Sequence, residues 1–227
     1  MTESITTLEG PLTKPASGGP AKQLIVFLHG VGADGFDLIG LASAMAEAFP
    51  DAQFMSPHAP FPCDMAPNGH QWFSLQDRNP DALFQGVQEA EPILNAYLDE
   101  QLTMLGMDDS QLAVVGFSQG TMTALHTMLR RAKPCAGIVG FSGALIGSHV
   151  LADDATAKPP VCLVHGEMDD VVPFAAMEMA REGLEEAGIN VETHAREGLA
   201  HGIDQPAIDI ASAFLQRCFS NAQSNAA

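Results

Sequence analysis

Residues 112–121, LAVVGFSQGT, restrict the fold of this chain more than any other stretch. An apolar run rich in β-formers ends in Gly116-Phe117-Ser118-Gln119-Gly120, a G-x-S-x-G, and TMTALHTML follows with helical spacing. A strand must stop, turn sharply and become a helix with Ser118 at the tip. Such a turn holds the serine backbone in a strained conformation and brings strand and helix too close for side chains at either flank, hence the two glycines. Ser118 is thereby lifted clear of the sheet, above the positive end of the helix, where its hydroxyl is exposed to attack a carbonyl. The similar Gly140-Phe141-Ser142-Gly143 is followed by Ala144, so its second glycine falls one residue early. Ser142 reads as a loop serine at a strand end.

Apolar strand-like runs alternate with amphipathic ones on both sides of this elbow. QLIVFL at 23–28 is apolar almost throughout, as a strand covered on both faces of a parallel sheet must be. A glycine-rich turn at 29–35 follows, then a helical face over 36–49. A short strand at 53–56 leads into a long loop at 56–79 rich in Pro, Gly and aromatics. The spacing predicts a helix over 80–105, kinked at Pro92. Strands at 136–141, 161–165 and 191–195 and helices at 173–188 and 205–219 complete the pattern. The expected architecture is α/β: a mostly parallel central sheet with helices on both faces, one domain over 1–227. An edge strand (2–9) and linker fill residues 1–20, and residues 220–227 form a disordered tail.

The charge of −18, from 28 acidic against 10 basic residues, repels phosphate backbones and anionic lipid, so nucleic acid and stable membrane association are not expected as partners. Arg130, Arg131 and Lys133 lie where they complement the dipole of the helix after Ser118. No apolar run is long enough to span a bilayer, and MTESITTLEG lacks the order of a signal peptide, so the expected location is cytoplasmic. Cys63, Cys135, Cys162 and Cys218 are widely spaced and read as reduced thiols. Neither H-E-x-x-H nor a dinucleotide fingerprint occurs, so no metal and no organic cofactor is expected.

A serine hydroxyl needs a histidine to take its proton and an acid to orient that histidine. In such sheets these partners belong in loops after strands. His165-Gly-Glu-Met-Asp169-Asp170 follows one strand and Gly198-Leu-Ala-His201-Gly follows the last. Of the other histidines, His29 and His165 sit at strand ends and brace turns, His126 lies on the helix behind the elbow, and His194 is fixed within a strand. His201 is therefore the base. Spacing does not separate Asp169 from Asp170. The order Ser118, Asp169, His201 is that of α/β-hydrolases. The developing oxyanion requires fixed N–H donors, expected from Gln119, just after the nucleophile, and from Val31 in the turn after the first core strand.

LHGVGADG (28–35), GFSQG (116–120), HGEMDDVVP (165–173) and GLAHGI (198–203) together resemble the phospholipase/carboxylesterase family, which includes the acyl-protein thioesterases. The resemblance implies an α/β-hydrolase fold without a large cap domain and a Ser118–Asp169–His201 esterase or thioesterase, with Val31 and Gln119 as oxyanion donors. It also marks Trp72 as the aromatic beside the acyl groove. The chain departs from the family's usual Gly at Thr121 and Pro at Asp170. Phe61, Met65, Trp72 and Phe73, with Leu145, Ile146, Val150 and Leu151, are the candidate groove residues, and they read equally as anchors that pin long loops to the sheet. The substrate expected is a small acyl ester or thioester, taken by a monomer or homodimer.

Overall fold

The computed structural model describes residues 7–226. Its centre is a seven-stranded sheet whose strands alternate with helices along the chain. In order these are β1 (Leu12–Thr13), β2 (Gln23–Leu28), α1 (Gly35–Ile39), α2 (Leu41–Met45), β3 (Ala52–Met55), β4 (Phe61–Pro62), β5 (His70–Gln71) and α3 (Pro80–Leu105). After a short 3-10 turn come β6 (Leu112–Phe117), α4 (Gln119–Met128), β7 (Gly137–Phe141), α5 (Ser148–Asp154), β8 (Val161–Gly166), α6 (Ala175–Glu186), β9 (Val191–Arg196) and α7 (Gln205–Ala226). The sheet order is β1-β3-β2-β6-β7-β8-β9. Only β1 runs antiparallel to its neighbour; all other pairs are parallel.

The alternation within each central strand explains why they read as unbroken apolar runs. Leu24, Val26 and Leu28 of β2, with Leu112 and Val114 of β6, enter a core shared with α3, α4 and α6. Ile25, Phe27, Ala113 and Val115 point the other way, into a core shared with α1, α2 and α7. A period of two is present, but both faces are dry.

Several boundaries differ from the sequence reading. The edge strand is Leu12–Thr13, inside the expected linker. Residues 2–6 of the expected strand lie outside the described residues, and 7–9 form no strand. In place of the helix expected over 36–49 there are two short helices, Gly35–Ile39 and Leu41–Met45, meeting at Gly40, and 46–49 are not helical. Residues 56–79 contain the small β4–β5 hairpin. α5 interrupts what reads as loop, and α7 continues past Phe219 to Ala226 instead of fraying at 220. α3 has the expected bounds: Asn79 accepts the Ala82 N–H at 2.9 Å, Gly106 closes the helix at φ 65°, and one helix runs through the exposed Pro92.

Candidate active site

β6 delivers Phe117 to the carboxyl edge of the sheet, and the next residue turns. Ser118 has φ 54° and ψ −116°, a conformation that costs a non-glycine residue about 1–3 kcal/mol. Its N–H donates to Phe141 O at 2.9 Å, and its carbonyl accepts from Thr121 N at 3.0 Å, so the turn is tied to β7 and to the first turn of α4. The flanking glycines are there for space. A Cβ on Gly116 would lie 2.4 Å from Thr121 N, and one on Gly120 would lie 1.9 Å from Leu28 O. Thr121 fits because its methyl group faces Gly140 and Gly143, and its hydroxyl donates to Phe141 O at 2.9 Å. The rival Ser142 also has positive φ, at 46°, but it is buried at the end of β7 and its hydroxyl meets no partner among the described residues.

Asp169 follows β8 and His201 follows β9, so adjacent parallel strands bring them together. His201 Nδ1 donates to Asp169 Oδ2 at 2.8 Å. Asp169 Oδ1 accepts the Val171 and Val172 N–H groups at 2.9 and 2.8 Å. Burial pushes this carboxyl up, but the bonds from His201, Val172 and Val171 outweigh it and hold the group below the usual aspartate range. Asp170 points to solvent. The His201 ring lies on Phe117, the residue before the serine, with centroids 4.8 Å apart. The His201 ring is thus placed against the residue before Ser118, and no direct hydrogen bond joins His201 to the serine. Such bonds often tighten only when substrate arrives.

Two further side chains support this group. His165 Nε2 donates to Val172 O at 2.8 Å and lies 3.3 Å from Asp169 Oδ2, so it steadies the acid as well as the turn. The buried Gln119 side chain accepts the Trp72 N–H at 2.9 Å and donates to Phe73 O at 2.7 Å. The sequence points to the main chain of Gln119 alone; the signal for this second role is an amide side chain directly after Ser118.

The turn after β2 faces the elbow. The Val31 and Gln119 N–H groups donate to no protein acceptor among the described residues, while the next donor along the turn, Gly32 N, is bound to His70 O at 2.8 Å. His29 anchors this turn: Nδ1 donates to Gly30 O at 2.8 Å and Nε2 accepts from Ala59 N at 3.0 Å, which fixes a neutral ring. Burial, only partly offset by the Gly30 bond, lowers its pKa from 6.5 to about 4. Between those values the unfolded chain binds a proton that the folded chain refuses, so stability falls as pH drops below about 6.5. Chemical denaturation at pH 7 and pH 5 should show a loss of about 2 kcal/mol from this group. His29→Gln should flatten that difference.

The expected groove needs correction. Trp72 and Phe73 are core residues, at 0% and 2% exposure, because the Trp72 indole donates to His29 O at 2.9 Å and its backbone is held by Gln119. Ile146 and Leu151 are buried too, whereas Met65 is 56% exposed and Phe61, Leu145 and Val150 are half-buried. Leu145 lines a cavity of about 290 Å³ with Ala144, Ala176 and Met179, under Glu182 and Glu186. A larger cavity, about 550 Å³, opens between Pro134, Pro160 and Cys218, at the amino ends of β7 and β8 and so away from Ser118.

The sequence matches the model of the phospholipase/carboxylesterase family over residues 15–219. The chain belongs to that family. It is 29% identical to esterase YpfH of Escherichia coli (strain K12), over 85% of this chain and 81% of the relative. Acyl-protein thioesterase 1 of Saccharomyces cerevisiae is 27% identical, over 89% of this chain and 95% of that protein. The crystal structure of esterase PE8 superposes with a TM-score of 0.89 at 40% identity, covering 94% of this chain and all of that one. The α/β-hydrolase fold, without a large cap among the described residues, is common to this group. No described helix is long and apolar enough to cross a membrane.

Proposed function

We propose that this member of an esterase family is a serine carboxylesterase, a cytoplasmic single-domain monomer or homodimer, acting on short-to-medium acyl esters. The observation that carries the reading is the 2.8 Å Asp169–His201 bond beside a strained Ser118. Asp169 holds His201 with Nδ1 protonated, which leaves Nε2 to take the Ser118 proton as Oγ attacks the ester carbonyl carbon. The Val31 and Gln119 N–H groups receive the oxyanion, each such donor being worth about 2.7–4 kcal/mol in the transition state. The alkoxide leaves with the proton from His201. Water then attacks the acyl-serine by the same route, releasing the acid and restoring the hydroxyl.

Of the candidate groove residues, burial of Trp72, Phe73, Ile146 and Leu151 leaves Met65, Phe61, Leu145 and Val150 as apolar surface, which supports short chains. The charge of −18 disfavours work at an anionic membrane. Hydrolysis of p-nitrophenyl esters from acetate to palmitate, beside a palmitoyl thioester, tests this. The expected rate maximum lies at short-to-medium chains. The similarity to acyl-protein thioesterases supports a second reading, and a preference for the palmitoyl thioester would select it.

A further inference from the structure

One cluster of metal-binding side chain types has no part in the machinery above. The register of β8 and β9 sets Cys162 opposite Glu192, and His194 follows two residues along β9, so all three leave the sheet on one face. Their sulfur, carboxylate oxygen and imidazole nitrogen lie within 4.8 Å of one another, and His194 Nε2 is 3.2 Å from Glu192 Oε1. Ligands bound tetrahedrally at about 2.0–2.3 Å stand roughly 3.3–3.8 Å apart, so these donors need only small side-chain movements to share one ion.

We propose that Cys162, Glu192 and His194 form a binding site for one divalent zinc-like cation. The donor set selects the class: one sulfur, one imidazole and one carboxylate suit zinc, whereas magnesium and calcium require oxygen alone. Two paired strands fix the ligand backbones, Cys162 forms the buried floor, and the half-exposed Glu192 and His194 form the mouth. Arg217 of α7 now holds Glu192, with Nη2 2.9 Å from both carboxylate oxygens. That side chain is 56% exposed, and ion pairs so open to water are weak, so Arg217 gives way to the cation. On binding, the S–H bond breaks, the sulfur–metal bond forms and the proton passes to solvent. Water fills the fourth position, and the cation clamps edge strand β9 to β8 within their paired stretch, from Cys162 and Glu192 towards His194.

Cobalt(II) is the probe, because a cobalt–thiolate bond absorbs in the near ultraviolet and a cobalt–imidazole or cobalt–carboxylate bond does not. Binding at Asp169 and His201, which offer no thiol, is silent in this band. One equivalent of Co2+ should produce the absorption, and Zn2+ should displace it. Cys162→Ala should abolish it, and Cys63→Ser should keep it. Losing the imidazole in His194→Ala, at a half-exposed position that the fold tolerates, should weaken Co2+ binding at least about 10-fold without changing metal-free ester hydrolysis. Absence of the band in the wild type, its survival in Cys162→Ala, or wild-type affinity in His194→Ala overturns the site. Should Cys162→Ala not fold, the His194 variant decides alone.

Discussion

Ser118→Ala is expected to lower kcat for p-nitrophenyl ester hydrolysis by a factor on the order of 10⁴–10⁶, with the fold intact. The size follows from the proposed role: with Ser118 as nucleophile, no acyl-enzyme forms without Oγ, and what remains is the contribution of the proposed oxyanion donors and of binding. The fold should survive because alanine has the same Cβ as serine and meets the same strain at φ 54°. Ser118→Gly separates the two effects. Glycine accepts positive φ without penalty, so this variant should be equally inactive yet more stable than wild type, by about 1 kcal/mol or more. Circular dichroism melts beside initial rates read both quantities. Ser142→Ala is the matched control, since Ser142 also follows a Gly-Phe pair and has positive φ but its hydroxyl is buried. Retention of most activity by Ser118→Ala, with loss in Ser142→Ala, would move the nucleophile and with it the proposed mechanism.

The parts of this fold legible in sequence are those where geometry leaves few residue choices. A strand-to-helix reversal this tight tolerates only glycine at 116 and 120, and a strand buried on both faces tolerates little but apolar residues, so the elbow and the central strands stand out. The loops offered no such restriction. An aromatic in a 24-residue connection has no period to say which way it faces, and Trp72 and Phe73 read equally as groove walls or as anchors. The fact that decides for the core, the hold of the Gln119 amide on their backbone, joins residues 46 and 47 positions apart. The two-residue strands β1, β4 and β5 are likewise fixed by distant partners, as in the pairing of Leu12 with Met55, rather than by local preference. The helical pattern of 36–49 is present only as two pieces over 35–45, with Gly40, a weak helix former, at their junction.

The choice between Asp169 and Asp170 was closed to sequence for a related reason: adjacent residues after a strand differ in direction, which the backbone turn alone sets. The Val171 and Val172 N–H groups capture Asp169 Oδ1, and the captured carboxylate presents Oδ2 to His201. Asp169→Asn is therefore expected to reduce kcat about 10⁴-fold, and Asp170→Asn to change it by less than about threefold. The asparagine oxygen can still accept from the two backbone donors, so the loop should hold. Its NH2 then faces His201 Nδ1, and two donors cannot pair. His201 answers by moving its proton to Nε2, which turns Nδ1 into an acceptor but leaves Ser118 facing an N–H that cannot take its proton. Because the defect is a wrong tautomer, the loss should appear in kcat with KM nearly unchanged, and raising the pH should recover little of it. A pH–rate profile of both variants against wild type tests the assignment. Equal losses in the two variants would instead make the acid a shared feature of the loop, and full activity in Asp169→Asn would remove it from the mechanism.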